Sequence, residues 1–115
     1  MRLLDEKELS RINAFDWAGK DGFPSIMRAG GFDAVIGNPP YVRQESLAEL
    51  KAYFQQRYKS YHSMADLYVY FIEKGLALLC PGGLFSFIVS SSFLRTSYGA
   101  PLRRHIRETA AVLGL

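Results

Sequence analysis

Hydrophobic positions fall into two rhythms along this chain. Phe32 to Ile36 (Phe-Asp-Ala-Val-Ile) is a short apolar run bounded by Gly30-Gly31 and Gly37, and Leu84 to Val89 (Leu-Phe-Ser-Phe-Ile-Val) is another. Runs of this length and punctuation predict buried strands. Asp66 to Leu79 instead repeats at three and four: Leu67, Tyr70, Phe71, Lys74 and Leu78 share one face and Asp66 stands at the positive end, which predicts a helix. Pro81-Gly82-Gly83 stops it. Shorter helices are expected from Leu4 to Ile12, with Leu9 and Ile12 on one face, and from Ala100 to Thr109, with Leu102 and Ile106 inward. Ser46-x-x-Glu49 is a capping box that opens a helix through Arg57, where Leu47, Leu50, Tyr53 and Phe54 line one face. Gly19 to Gly31 reads as loop with one helical turn around Ser25 to Ala29, Tyr58 to Met64 as loop, and Ala111 to Leu115 as the start of a third strand.

Strand, loop, helix, strand, helix, strand is an α/β pattern. Strands this apolar suit a mostly parallel sheet covered on both faces. Ligands of such sheets bind outside the carboxyl ends of the strands, so the loop from Gly37 to Tyr41 stands where chemistry usually occurs. With 49% hydrophobic and 22% charged residues in 115, the chain can bury a core, and intrinsic disorder is excluded as the default. No apolar run approaches the roughly 20 residues of a membrane span, and Asp5, Glu6, Lys7 and Glu8 break any signal-peptide pattern, so a cytoplasmic protein with no membrane partner is expected. A lone cysteine, Cys80, permits no internal disulfide. His62 and His105 lack a second ligand at helical spacing, so no metal site is expected.

Charge changes the picture only locally. The net charge is +3, and from Arg95 to Arg107 there are four arginines and no acid. A solvated helix face and a phosphate contact explain that run equally well. Trp17, Phe54 and Phe71 read as core. Tyr53, Tyr58, Tyr61, Tyr68 and Tyr70 interleave with Arg57 and Lys59, a pattern that packs under a loop or, alternatively, stacks on bases. Ser90-Ser91-Ser92 reads as a turn or cap.

The candidate chemistry lies in Asn38-Pro39-Pro40-Tyr41. Each proline fixes its own φ and drives the preceding residue into extended conformation, so the loop is stiff. Neither proline has an N–H, so carbonyls project with few local donors to satisfy them. The Asn38 side-chain oxygen and the Pro39 carbonyl can present two acceptors side by side, with Tyr41 as a flat surface next to them. A planar amine fits there. Its lone pair is delocalised, and two acceptors holding both hydrogens favour the pyramidal form that aims the lone pair at an electrophile. Methyl transfer then depends on positioning and electrostatics rather than on a strong base. Alone, the tetrapeptide is also a common turn.

Its setting makes it recognisable. Gly31-Phe32-Asp33-Ala34-Val35-Ile36-Gly37-Asn38-Pro39-Pro40-Tyr41-Val42-Arg43-Gln44 resembles motif IV of the N6-adenine DNA methyltransferases of restriction-modification, particularly the large type IIG and related phage-defence enzymes. Asp66-Leu67-Tyr68 through Glu73-Lys74-Gly75-Leu76 resembles their next helix, and Leu79 to Val89 the turn and strand after it, continuing into Ser92-Phe93-Leu94. The resemblance implies a partial Rossmann-like class I fold and transfer of a methyl group from S-adenosylmethionine to N6 of an adenine flipped out of duplex DNA, at a cost of a few kcal/mol. Carried over, Asn38 and the Pro39 carbonyl hold the amine, Tyr41 stacks on the base and Pro40 shapes the loop. Tyr68 belongs to a motif at the pocket wall, and Arg43 and Gln44 are placed to reach the DNA backbone or a base edge. Asn13-Ala14-Phe15-Asp16-Trp17 is similar to the segment that touches the adenosyl part of the cofactor, which makes Asn13 or Asp16 its candidate ligand.

The family's glycine-rich cofactor loop, its second base-sandwiching aromatic and its target-recognition domain find no counterpart, because Gly30-Gly31 precedes a strand and Gly82-Gly83 ends a helix. Residues 1–115 are therefore expected to be part of a methyltransferase catalytic domain, inactive when isolated, with the remainder supplied elsewhere or as another chain. Two rivals stay open. One is methylation of a protein glutamine or an RNA base; the other is a truncated remnant or subunit that only binds nucleic acid.

Overall fold

A glycine sets the register of the sheet. Gly31 has φ of +121°, and a Cβ there would meet backbone atoms of Leu78, Leu79 and Cys80. Only a residue without a side chain lets the chain approach so closely and lets the Phe32 N–H donate to the Leu78 carbonyl at 2.7 Å. In the computed structural model, which describes residues 6–7 and 14–114, that contact opens a two-stranded parallel sheet. Helix α1 (Pro24–Arg28) precedes strand β1 (Phe32–Gly37); a 3-10 segment (Gln44–Leu50), helix α2 (Lys51–Arg57) and helix α3 (Leu67–Ala77) form the crossover to strand β2 (Leu79–Phe87). Two short 3-10 turns, Ser91–Leu94 and Ser97–Gly99, lead into helix α4 (Ala100–Thr109). The α/β reading and the partial Rossmann-like methyltransferase fold hold.

Several details differ from the periodicity. The crossover helix ends at Ala77, and Pro81-Gly82-Gly83 lies inside β2 rather than stopping a helix. Phe32 pairs with Leu79 but Ala34 with Leu84, so these residues form a bulge that absorbs the register shift. Ser46 opens no α-helix: a 3-10 stretch starting at Gln44 comes first and carries no side-chain cap. The expected strand from Ala111 is not formed over residues 111–114, which are exposed and unpaired, since a strand exists only with a hydrogen-bonding neighbour. Leu115 lies outside the described residues, as does the expected helix from Leu4 to Ile12 apart from Glu6 and Lys7, which are helical.

The core sits between α3 and its neighbours and includes Leu47, Phe54, Val69, Ile72, Phe93 and Leu102. Helix α3 faces inward with Tyr68, Val69, Tyr70, Ile72 and Glu73, while Phe71 is 41% exposed beside the exposed Lys74. Phe71 is thus a surface residue, because the helix is packed on two sides and keeps only the 71–74 strip for solvent. Trp17 packs with Phe15, Phe23 and Phe32 in an aromatic cluster of its own, away from the core. Among the described residues the sheet is covered on one face only. Phe85 and Phe87 stack at 4.3 Å beneath α3, whereas Ile36 and Leu84 on the other face are 82% and 62% exposed.

Candidate amine-binding site at the carboxyl end of the sheet

Strand β1 ends at Gly37, whose carbonyl still accepts from the Ile88 N–H at 3.0 Å, so both strands deliver their loops to the same edge. Asn38-Pro39-Pro40-Tyr41 leaves from that point. Asn38, Pro40 and Tyr41 are exposed and Pro39 is buried. The proline anchors the turn while the amide and the phenol ring face outward, which is the arrangement an amine-gripping loop needs.

The loop is braced from behind by the start of α3. The Leu67 N–H donates to the Val42 carbonyl at 3.0 Å, and the Gln44 N–H donates to Asp66 Oδ1 at 2.9 Å. Asp66 occupies the N-cap position of α3 with extended backbone, yet its side chain does not cap its own helix; it reaches across 22 residues to hold the segment after the two prolines. Arg43, exposed, accepts at its carbonyl from the Ser46 N–H, and Gln44 Oε1 accepts from Lys51 Nζ at 2.7 Å.

Tyr68 sits beneath the loop. It is 1% exposed, its ring centroid is 6.2 Å from that of Tyr41, and its hydroxyl is 2.9 Å from the Tyr98 hydroxyl. Burial, then the Tyr98 hydrogen bond, push the Tyr68 phenol well above the ordinary tyrosine range. Tyr68 therefore backs Tyr41 and is tied to Tyr98. Sequence reasoning did not single out Tyr98, because its link to the site is a contact 30 residues away in the chain. The other tyrosines pack under the loop that follows α2: Phe54 and Tyr70 stack at 4.2 Å, and the Tyr70 hydroxyl donates to the His62 carbonyl at 3.2 Å. Glu73, also overlooked, is 8% exposed and accepts from the backbone N–H groups of Lys59 and Ser60, fixing that loop to α3. Ser90 caps the next turn, its Oγ accepting from the Ser92 N–H.

The two cofactor candidates stand apart in what the structure describes. Asn13 lies outside the described residues. Asp16 is exposed, its Oδ1 accepts from the Gly19 N–H at 3.1 Å, and the neighbouring Trp17 packs edge-on against Phe32 at the start of β1. Phe32 and Gly37 are five strand steps apart, about 16 Å. Packing of the aromatic cluster on Phe32 thus ties the turn that carries Asp16 to the start of β1. Among the described residues no group of three or more His, Cys, Asp or Glu side chains could hold a metal ion, and no helix is long and apolar enough to cross a membrane.

A parallel α/β sheet that presents Asn-Pro-Pro-Tyr at its carboxyl edge, on a turn stitched to the following helix, defines a portion of a restriction-modification DNA methyltransferase. The sequence comparisons give the family: residues 2–113 match the model of the Eco57I restriction-modification methylase, and the chain belongs to it. Among its curated relatives it is 40% identical over 93 residues to the type II methyltransferase M.PaeR7I of Pseudomonas aeruginosa, covering 80% of this chain and 16% of that protein. It is 46% identical over 78 residues to M.XhoI of Xanthomonas vasicola, covering 67% and 14%. With the type II restriction enzyme and methyltransferase RM.Eco57I of Escherichia coli it shares 32% over 109 residues, covering 91% and 10%. The chain spans about one-sixth or less of the length of these relatives.

Proposed function

We propose that residues 1–115 are the amine-binding portion of a methyltransferase catalytic domain that methylates N6 of adenine in duplex DNA, with S-adenosylmethionine as methyl donor, in a restriction-modification or phage-defence setting in the cytoplasm. The observation that carries this reading is the exposed Asn38 amide and Tyr41 ring on a two-proline turn whose base is buried and hydrogen-bonded to α3. The donor supplies an electrophilic methyl group when bound. The chain's own residues handle the other reactant. Asn38 Oδ1 and the Pro39 carbonyl accept from the two hydrogens of the flipped adenine's amine, Tyr41 stacks on its ring, and Pro40 keeps the turn rigid. Arg43 and Gln44, where the loop enters the 3-10 segment, reach the DNA. The amine's surplus proton leaves for solvent after the nitrogen becomes cationic, so no basic side chain is required at the turn.

Among the described residues Asp16 is the one candidate toward the donor, on a turn tied to the start of β1, so we infer that donor binding draws on other parts of the enzyme as well. That same observation favours a second reading, in which the isolated chain binds DNA or a partner chain without catalysing. Radiolabelled S-adenosylmethionine supplied with duplex DNA, RNA or protein distinguishes them. Label in adenine of duplex DNA with the intact enzyme, lost by at least a hundredfold in Asn38→Ala with an unchanged circular dichroism spectrum, is the expected result. Label confined to RNA or protein, or a wild-type rate for Asn38→Ala, refutes the reading. Calorimetric titration of the 115-residue chain with the donor shows whether the segment binds it alone.

A further inference from the structure

We propose that the outward face of α4, carrying Arg104 and Arg107, is a contact surface for the phosphate backbone of DNA beside the base-binding edge; this rests on the adenine-methyltransferase reading for its partner but not for its electrostatics. Arg104 and Arg107 fall at i and i+3 of one helix and so are neighbours on its surface. Like charges at that spacing repel, each pair costing roughly 0.2–0.5 kcal/mol, and the helix carries one acid, Glu108, beside three arginines.

The three arginines are not equivalent. Arg103 turns inward: its Nη1 donates to the Phe93 carbonyl at 2.6 Å and to the Thr96 carbonyl at 2.7 Å. It welds α4 to the turns that bear Phe93 and Tyr98, and those two residues contact Tyr68, 6.2 Å between rings for Phe93 and 2.9 Å between hydroxyls for Tyr98. Tyr68 in turn backs Tyr41. Arg104 and Arg107 stay exposed, flanking a groove of about 370 Å³ whose other walls include Leu94, Ile106 and Val112. Guanidinium groups over an apolar floor suit a phosphodiester with its sugar better than a small free anion. Through the turns that follow β2, α4 is joined to the residues that contact Tyr68. The backbone flanking a base seated on Tyr41 is thereby offered a rigidly connected basic track.

The test is fluorescence anisotropy of a labelled 20-base-pair duplex with the full chain over a range of salt concentrations. Each phosphate contact contributes about 0.9 to the slope of log affinity against log salt. R104Q/R107Q is expected to weaken binding at least tenfold at low salt and to flatten the slope by about two, while R104K/R107K retains the slope and all three proteins melt at the same temperature. Equal slopes for wild type and R104Q/R107Q, failure of the lysine pair to retain it, or no duplex binding by wild type overturns the proposal. A second duplex of guanine and cytosine only separates the two readings. If the arginine effect persists while no preference for adenine-containing duplex is found, the adenine reading fails and the surface stands; a preference for adenine with unchanged slopes has the opposite meaning.

Discussion

At the scale of single residues, Asp66 shows how a side chain can be placed by pattern yet given its task by contact. Its position at the head of a periodic run marks the start of α3, and the structure places it at the N-cap. Its carboxylate, however, holds the Gln44 N–H at 2.9 Å, and that partner stands 22 residues earlier. Local spacing carries no information about such a bond. The same holds for Glu73, whose carboxylate holds the Lys59 and Ser60 N–H groups, and for the Tyr68–Tyr98 hydroxyl pair. Asp66→Ala is expected to cost about 1 kcal/mol of stability, the net worth of a hydrogen bond of this kind. Its more specific signature is faster hydrogen exchange at Gln44 and Leu67 relative to the rest of the chain; unchanged exchange at those amides removes Asp66 from the brace.

Among the elements, α3 is where periodicity succeeded in kind and failed in orientation. Repeats at three and four mark a helix, and the helix exists, but the face through Phe71 and Lys74 is the solvent strip. A helix packed against a sheet on one side and an aromatic layer on the other buries most of its circumference, so the apolar stripe no longer points to a single core. Gly75 makes the sheet side possible: a Cβ there would lie 2.7 Å from Phe85 Cε2 and 3.1 Å from Phe87 Cζ. Gly75→Val is therefore expected to destabilise by about 1–3 kcal/mol through overpacking, despite valine's better helix propensity. A lower urea midpoint with an unchanged m-value checks it. For β2 the glycines and proline at 81–83 read as a stop signal when viewed alone. Only the pairing of Phe32 with Leu79 and of Ala34 with Leu84 reveals them as a bulge within the strand.

For the whole molecule, the buried tyrosine layer predicts how stability responds to alkali. Burial, the leading cause in each case, pushes the Tyr58 and Tyr70 phenols from 10.0 up to about 12 and pushes Tyr68 further in the same direction. The folded state therefore keeps protons that the unfolded chain releases above pH 10. By linkage, their contribution is complete below pH 10 and is lost as pH rises toward 12. The melting temperature should hold steady from pH 8 to 9.5 and fall steeply above 10, with the tyrosinate absorbance of Tyr58, Tyr68 and Tyr70 rising together with unfolding rather than before it. Early tyrosinate absorbance from all seven tyrosines would contradict the burial. The same scale accounts for the sheet, whose strands read as buried on both faces while Ile36, Leu84 and Ile88 stand 82%, 62% and 72% exposed among the described residues.

What the sequence determined by itself is the kind of thing this chain is. Short apolar runs between glycines, one strongly periodic helix and the order of motifs around Asn38-Pro39-Pro40-Tyr41 specify an α/β methyltransferase segment, because strand, helix and turn chemistry are set by neighbours one to four residues away. Tertiary structure alone decided which face of α3 is wet, that Pro81-Gly82-Gly83 is a bulge, and that Asp66 and Tyr68 brace the loop from behind. Each of those depends on groups distant in the chain, from Gly75 and Phe85 to Ala34 and Leu84, and such contacts are selected by the packing of the whole chain, not by any local pattern.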